Sequence, residues 1–195
     1  MSVAVLFLDI AGFTSWPSST ADEQKRVLRI MDVFMAEMIN IIRDHRGEYE
    51  KNTGDGVMAY FGTATSSDTA SVLDAVEAAL VMHAVNDTLI TQWVKDEGIP
   101  KVRCRVGIDY GSVTVARIGI RRISSFVAIG TTANVANRLL RHISDGICIG
   151  NEVFRRLPAG WSGACRSLPA ETGFVYVQTN EPYPIWELRY ALPGT

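Results

Sequence analysis

The spacing of apolar residues along the chain predicts strands and helices in a mixed order. Continuous apolarity over residues 3–8 predicts a buried strand that ends at Asp9. Apolar positions three and four residues apart predict helices over residues 21–43, 69–95 and 131–143. The remaining apolar and β-branched runs predict strands at residues 48–53, 57–61, 102–109, 112–117, 125–129, 148–149, 161–168, 173–178 and 185–192.

The order of these elements and the turns between them predict the fold class. The first six elements follow the order βαββαβ, which is the ferredoxin-like arrangement. Gly54-Asp55-Gly56 predicts a hairpin between the second and third strands, and Tyr110-Gly111 predicts another between residues 102–109 and 112–117. We therefore expect an α+β protein with a ferredoxin-like core and additional C-terminal β/α elements.

Composition narrows the class of protein further. The chain has 195 residues, of which 47% are hydrophobic and 21% are charged, so we expect a single domain over residues 1–195. The 19 basic and 21 acidic side chains give a net charge of −2, which offers no general attraction for nucleic acid or an anionic membrane. No apolar run approaches the ~20 residues of a membrane span, and no basic segment precedes the first strand as in a signal peptide.

The cysteines indicate the redox compartment. Cys104, Cys148 and Cys165 are odd in number and widely spaced, and they lack the spacing of a zinc site. They predict reduced thiols and a cytoplasmic location. A single domain of this size also predicts that any regulation lies outside it.

Two carboxylates are the first candidates for chemistry. Asp9 ends the first strand and Asp55 sits in the predicted hairpin turn, and a ferredoxin-like core places those two strand ends side by side. Paired carboxylate oxygens suit Mg²⁺ or Mn²⁺, although an aspartate in either place is also common as a plain turn residue. The turn after Asp9 contains Gly12, whose backbone permits close approach of a phosphate.

Four segments together carry a resemblance to a known family. They are LDIAGFT (residues 8–14), KNTGDG (51–56), VGIDYGSV (106–113) and IGTTANVANRL (129–139). In this order they resemble the catalytic domain of the class III nucleotidyl cyclases, the adenylate and guanylate cyclase family, over roughly residues 3–190. The resemblance implies the class III cyclase fold and the conversion of a nucleoside triphosphate to a 3′,5′-cyclic nucleotide and pyrophosphate.

The resemblance also implies roles for individual residues. Two metal ions, Mn²⁺ or Mg²⁺, would bind at each site. Their ligands would be the carboxylates of Asp9 and Asp55 and the carbonyl of Ile10, and the phosphates would lie against the turn formed by Gly12, Phe13 and Thr14.

The catalytic pair that the resemblance implies lies on a helix. Asn134 would orient the ribose and Arg138 would stabilise the transition state, and residues four apart share one helix face. In the family, two protomers pack head to tail, and each site takes its aspartates from one chain and its Asn and Arg from the other. We therefore expect a homodimer with two shared sites, in which residues 117–124 resemble the arm that reaches across.

The base pocket departs from the purine cyclases of the family. Lys51 occupies the position of their lysine, but Val127 stands where an acceptor for adenine is expected. A donor-only lysine beside an apolar valine favours uracil, because a buried amino group without an acceptor costs ~1–3 kcal/mol. Tyr49, taken to share the strand face of Lys51, would fill the space of a purine, or else pack on the core.

The chain also resembles the stand-alone pyrimidine cyclases of the bacterial antiphage system called Pycsar. That resemblance implies synthesis of cyclic UMP, or less favourably cyclic CMP, which a separate effector protein would sense. Two alternatives remain open at this point: an adenylate cyclase with an altered base pocket, and an inactive nucleotide-binding homologue. A pyrophosphate-binding lysine of the family is replaced by Gln178, which leaves Arg103, Arg105 and Arg141 as candidate replacements.

Overall fold

The computed structural model describes residues 1–63, 67–95, 97–99, 101–120, 123–169, 175–176 and 179–189. At residues 115, 117–120 and 123–128 it describes the backbone alone. The strands are β1 (Ser2–Ile10), β2 (Gly47–Asn52), β3 (Gly56–Phe61), β4 (Cys104–Ser112), β5 (Thr114–Ile120), β6 (Ile123–Ile129), β7 (Gly146–Gly150), β8 (Cys165–Leu168) and β9 (Ile185–Leu188). The α-helices are α1 (Ala21–Asp44), α2 (Asp68–Val85), α3 (Thr91–Lys95), α4 (Thr131–Leu139) and α5 (Asn151–Phe154).

The first half of the chain forms the predicted ferredoxin-like core. Seven strands make one sheet in the order β2-β3-β1-β4-β7-β9-β8, and its first four strands with α1 and α2 have the βαββαβ connectivity. β1 lies between β3 and β4 and is antiparallel to both. The predicted α+β class is confirmed. The C-terminal strands extend the sheet beyond β4 through the parallel pair of β4 and β7.

Helices cover the two faces of this sheet. Side chains alternate along β1, so Leu6 and Leu8 belong to the core cluster under α1 and α2. Val5 and Phe7 point the other way and belong to a smaller cluster with residues of α4. The end of β1 therefore carries Ile10 on the side of α1 and α2, and Asp9 on the side of α4.

Helix α1 matches its predicted extent because the local signals agree. Thr20 precedes it and accepts a hydrogen bond from the Glu23 N–H, while the Glu23 carboxylate accepts one from the Thr20 N–H. Its buried face recurs at helical spacing. The predicted helix over residues 69–95 is also present, as α2, a π-helical turn over Asn86–Ile90, and α3.

The hairpin predicted at Tyr110-Gly111 is wrong. β4 runs straight through these residues, and Gly111 pairs with Val3 of β1. The glycine serves helix packing instead of a turn, because a Cβ there would lie 2.6 Å from the Thr132 hydroxyl oxygen of α4. β5 pairs with β6 as a separate two-stranded ribbon rather than with β4.

The C-terminal elements differ in extent from the predicted ones. The predicted strand over residues 161–168 is a 3-10 helix over Ala159–Ala164 followed by β8, because the Ser162 hydroxyl donates to the Ala159 carbonyl and holds a turn. The predicted helix over residues 131–143 is α4 followed by a 3-10 turn at Leu140–His142. Residues 173–174 and 177–178 of a further predicted strand lie outside the described residues. Among the helices described, none has the length and apolarity needed to cross a membrane.

Candidate active site

The two predicted metal carboxylates meet at one end of β1. Asp9 pairs across the ladder with Gly56, and the Ile10 N–H donates to the Asp55 carbonyl at 3.3 Å. A Cβ on Gly56 would lie 2.0 Å from the Leu8 carbonyl oxygen, so a glycine is needed for the hairpin tip to approach β1 this closely. The Asp55 carboxyl therefore lies within hydrogen-bonding reach of the Asp9 carboxyl.

The electrostatics of this pair fit a divalent cation. Partial burial raises the pKa of Asp55, and the neighbouring negative charge of Asp9 raises it further. Two carboxylates held together in this way repel each other, and a hard cation that prefers oxygen ligands would relieve the repulsion. The donor set of Asp9, Asp55 and the Ile10 carbonyl suits Mg²⁺ or Mn²⁺.

Arg105 is part of this site, although the sequence placed it only among three candidate cations. It lies on β4 directly opposite Asp9 of β1, and its guanidinium forms an ion pair with the Asp9 carboxylate. The Arg105 Nε is buried and has no hydrogen-bond partner within the described part of the chain. Cross-strand pairing between residues 96 positions apart produces this contact, so no local pattern could have shown it.

The turn that follows β1, which the sequence predicts to bind phosphate, is built around a left-handed glycine. Gly12 adopts a φ of 75°, in the left-handed region that favours glycine, and it begins a 3-10 turn over Phe13–Ser15. The Gly12 Cα side faces the Arg103 guanidinium, since a Cβ there would lie 3.6 Å from an Arg103 nitrogen. The Phe13 ring packs on Trp16 at 5.1 Å, whereas Thr14 is exposed.

A second group of predicted residues surrounds one cavity on the α4 face of the sheet. Lys51, Asn134 and Arg138 line this cavity of about 500 Å³ together with Phe7, Thr53, Met58, Ala133 and Asn137. α4 buries Ala133 and Ala136 against the sheet, which leaves Asn134 and Arg138 exposed. Lys51, predicted to contact the base, and the predicted catalytic pair thus line one cavity within a single chain.

Glycines of β4 hold α4 against the sheet at this cavity. A Cβ on Gly107 would lie 2.2 Å from the Ala136 carbonyl oxygen, and Gly111 makes the equivalent close approach to Thr132. The two glycines are four residues apart on β4, and the two residues that they contact are four residues apart on α4. The two glycines of the VGIDYG segment therefore fix the distance between Arg138 and the sheet.

The prediction that Tyr49 and Lys51 share a strand face is wrong. Tyr49 pairs with Ala59 whereas Lys51 pairs with Met58, because β2 has a bulge between them. Ala59 and Met58 are neighbours on β3 and point to opposite faces. Tyr49 consequently packs against the core cluster under α1 and α2, and its hydroxyl donates to Asn52 at 2.8 Å. It does not line the cavity of Lys51.

The structure describes three further candidate residues to different extents. Val127 lies on β6 opposite Ala116, and its side chain falls outside the described part of the protein. Gln178 also lies outside the described residues. Arg141 is exposed on the 3-10 turn after α4. The role of Val127 in the base pocket stays a prediction.

The structure also reveals a buried carboxyl that the sequence did not indicate. Asp109 of β4 is 4% exposed and accepts a hydrogen bond of 2.6 Å from the Tyr183 hydroxyl. Burial raises its pKa to about 7. It borders a cavity of about 370 Å³ that also includes Thr132 and Val135 of α4.

One more cluster has ligand-type side chains. The ligand atoms of His83, Cys104 and Asp145 lie within 4.8 Å of one another. The Cys104 sulfur is 3.6 Å from both ring nitrogens of His83, so it lies on the midline of the ring rather than in line with either nitrogen. A metal bound to one imidazole nitrogen would lie in line with it, and this cluster therefore reads as core packing.

Comparison with known proteins identifies the family of the chain. Residues 1–167 match the family model described as the adenylate and guanylate cyclase catalytic domain. The chain belongs to that family. Its fold is also that of the guanylyl cyclase Cya2, with a TM-score of 0.81 and 22% identity over 100% of this chain and 95% of the other.

Two relatives carry pyrimidine names. The cytidylate cyclase of Staphylococcus aureus is 24% identical over 97% of this chain and 43% of its own length. The uridylate cyclase of Burkholderia cepacia is 29% identical over 80% of this chain and 66% of its own length. The chain thus spans less than half of the first relative and about two thirds of the second.

Proposed function

We propose that this protein is a metal-dependent nucleotidyl cyclase that converts a nucleoside triphosphate to a 3′,5′-cyclic nucleotide and pyrophosphate. The observation that carries the proposal is the meeting of Asp9, Asp55 and Arg105 at one end of β1. Beside the phosphate-binding turn, this arrangement supplies oxygen ligands for cations and donors for a triphosphate. The cavity of Lys51, Asn134 and Arg138 supplies the groups for base, ribose and transition state.

The chemistry assigns a task to each of the protein's own groups. Divalent cations at Asp9 and Asp55 would lower the pKa of the ribose 3′-hydroxyl and neutralise phosphate charge. The 3′-oxygen attacks the α-phosphorus, the bond to the bridging oxygen of pyrophosphate breaks, and the hydroxyl proton is lost to solvent. Arg138 offsets the negative charge that builds on the α-phosphate, and Asn134 holds the ribose for in-line attack. Arg105 and Arg103 take the place of the family's pyrophosphate-binding lysine.

We propose a head-to-tail homodimer with two shared sites and two Mn²⁺ or Mg²⁺ ions in each. The carboxylates of Asp9 and Asp55 in one protomer would face Asn134 and Arg138 of the other. The exposed positions of Asn134 and Arg138 on α4 support this, because an exposed catalytic pair needs a partner surface to close the site from water.

The preferred substrate that we propose is UTP, with CTP second. Lys51 lines the cavity and offers donors to the carbonyl oxygens of uracil. The similarity to relatives named uridylate and cytidylate cyclase supports a pyrimidine. We further propose that the cyclic nucleotide is a cytoplasmic second messenger in antiphage defence, sensed by a separate effector protein.

A nucleotide panel tests the activity and the substrate together. The purified protein is incubated with ATP, GTP, CTP or UTP and Mn²⁺, and cyclic products are separated by chromatography. We expect cyclic UMP as the main product and its loss on adding EDTA. If only cyclic AMP forms, the pyrimidine proposal is wrong. If no nucleotide turns over and Asp55→Ala changes nothing, the protein is a nucleotide-binding homologue without activity.

A substitution at Val127 tests the alternative of an altered adenylate cyclase. Val127→Asp would supply an acceptor for the adenine amino group, so we expect ATP use to rise relative to UTP by roughly 10-fold or more. The measurement is the ratio of kcat/KM for the two nucleotides. An unchanged ratio would show that position 127 does not face the base.

A further inference from the structure

Glu50 is a buried acid to which no hydrogen-bond donor is directed in the part of the chain that the structure describes. Its side chain is 3% exposed. Both carboxylate oxygens are enclosed, and within the described residues neither accepts a hydrogen bond. Its ion-pair partner is Lys51, whose Nζ lies 3.5 Å from the Glu50 Oε1. Burying a carboxylate without donors is costly, so Glu50 is a candidate for contact with a ligand.

The bulge in β2 explains how Glu50 and Lys51, which are neighbours in the chain, come to share one face of the sheet. Glu48 pairs with Tyr60 and Lys51 pairs with Met58, while Glu50 has no partner across the ladder. Strand alternation places Glu50 on the face opposite Tyr49, which is the face of Glu48. The extra residue then returns Lys51 to that same face. Glu50 and Lys51 therefore form one adjacent acceptor and donor pair on the side of the sheet that carries the cavity, which Lys51 lines and the enclosed Glu50 does not.

The pair complements one edge of a uracil base. Uracil presents the O4 carbonyl, which accepts, next to the N3–H, which donates. Lys51 supplies donors alone, so the pocket of Lys51 and Val127 leaves the N3–H without an acceptor. We propose that Glu50 is a specificity residue whose carboxylate accepts the N3–H of uracil while Lys51 donates to O4. This inference rests on the proposed cyclase function and names the feature of the base that the site reads.

The same arrangement disfavours cytosine in that orientation. Cytosine has a lone pair at N3 and an amino group at N4, so it would place an acceptor against the carboxylate and a donor against the ammonium. Lys51 is 45% exposed and lines the cavity, and the proposal requires it to turn toward the base so that the Glu50 oxygens become accessible. A carboxylate that accepts from the N3–H favours uracil over cytosine by roughly 10- to 100-fold.

Glu50→Gln tests the inference with a variant of the same size. The amide donates to the N3 lone pair of cytosine, so we expect the ratio of kcat/KM for UTP over CTP to fall by roughly 10- to 100-fold. The change should appear mainly in KM, because the contact is made in the ground state as well as in the transition state. Glu48→Gln is the matched control, since Glu48 lies on the same strand and face but is exposed and accepts from Thr63.

Two results would overturn the inference. One is a UTP to CTP ratio that stays within about threefold of the wild type in Glu50→Gln. The other is a wild-type preference for CTP that Glu50→Gln reduces, because the carboxylate would then read the amino group of cytosine. If thermal melting shows that Glu50→Gln does not fold, Glu50→Asp replaces it as the test. The shorter side chain keeps the negative charge but holds it farther from the base, so KM for UTP should rise while KM for CTP should not fall.

The outcome separates this inference from the proposed function. A protein that forms no cyclic product from any of the four nucleotides fails the function itself. A protein that forms cyclic UMP with a ratio insensitive to Glu50→Gln keeps the function and loses the inference alone.

Discussion

At the scale of single residues, two aspartates keep raised pKa values for different reasons. Asp55 is raised by partial burial and by the negative charge of Asp9, and its carboxylate is exposed enough to meet a cation. Asp109 is raised to about 7 by almost complete burial, and the Tyr183 hydroxyl opposes this by donating to it. The first case serves the proposed metal site, whereas the second adds a pH dependence to folding.

Asp55→Asn should separate activity from stability. Losing a metal ligand should reduce cyclase activity by at least ~100-fold. The raised pKa means that the ionised form is disfavoured in the fold, so the neutral amide should leave the melting temperature in EDTA unchanged or higher at pH 7. Activity assays and thermal melting check both parts. Asp32→Asn, an exposed change in α1, is the control and should alter neither; near-normal activity in Asp55→Asn would contradict the metal role.

Asp109→Asn should flatten the pH dependence of stability. Because the folded pKa of about 7 lies above the ordinary pKa of 3.8 for an aspartate, the folded protein holds one more proton than the unfolded chain between those values. The free energy of unfolding therefore falls as the pH rises from about 4 to about 7, by a few kcal/mol in order of magnitude.

The measurement for Asp109→Asn is urea unfolding at two pH values. At pH 5 the folded wild-type carboxyl is protonated but the unfolded one is ionised, so only part of the loss of stability has occurred and the variant should gain less than at pH 8. At pH 8 the variant should be more stable, since its amide oxygen still accepts from Tyr183 and carries no charge. An equal difference at both pH values would contradict the assignment, and Asp32→Asn should show no dependence on pH.

At the scale of elements, the position of α4 on β4 decides where the proposed catalytic pair, Asn134 and Arg138, lies. The helix approaches the strand through Gly107 and Gly111, at distances that leave no room for a Cβ. The bulge in β2 has a comparable effect on the opposite wall of the cavity, because it turns Lys51 toward α4 and leaves Tyr49 behind. Backbone features, rather than the reactive side chains, therefore shape the pocket.

Gly107→Ala should displace α4 and reduce both stability and activity. The new Cβ would meet the Ala136 carbonyl oxygen at 2.2 Å, so strand or helix must shift, at a cost of about 1–3 kcal/mol. The shift carries Asn134 and Arg138 away from the sheet, and we expect kcat to fall by ~10- to 100-fold. Urea unfolding and steady-state kinetics measure the two effects. Gly160→Ala, where nothing lies within 4 Å of the new Cβ, should change neither value.

At the scale of the whole molecule, the site is divided between two groups on one sheet. Asp9, Asp55 and Arg105 lie at one end of β1, and Lys51, Asn134 and Arg138 line the cavity under α4. The proposed head-to-tail dimer brings the first group of one protomer to the second group of its partner. Activity should then depend on pairing between chains.

Mixing two inactive variants tests this division. Asp55→Ala and Arg138→Ala should each be inactive alone, because each damages both sites of a homodimer. Random pairing of equal amounts should restore about a quarter of the wild-type activity, since half of the dimers are mixed and each has one intact site. Mixing Asp55→Ala with Asp9→Ala is the control and should restore none. Equal recovery in both mixtures, or none in either, would contradict the shared sites.

The sequence by itself determined the features that depend on a few neighbouring residues. The apolar run of β1, the helical spacing and capping box of α1, and the Gly54-Asp55-Gly56 turn each specify their element locally, and the four segments identified the family. These signals also predicted that Asp9 and Asp55 lie close together, because the βαββαβ order allows few sheet arrangements.

The tertiary structure decided what depends on partners distant in the chain. The ion pair of Arg105 with Asp9 comes from strand pairing, and the close contact of Gly111 with Thr132 explains why β4 continues where a turn was predicted. Simple strand alternation puts Tyr49 and Lys51 on the same face of the sheet, and only the bulge in β2 separates them. Periodicity is encoded within a few residues, whereas register, bulges and burial arise only when remote segments pack, and these positioned Glu50 beside Lys51.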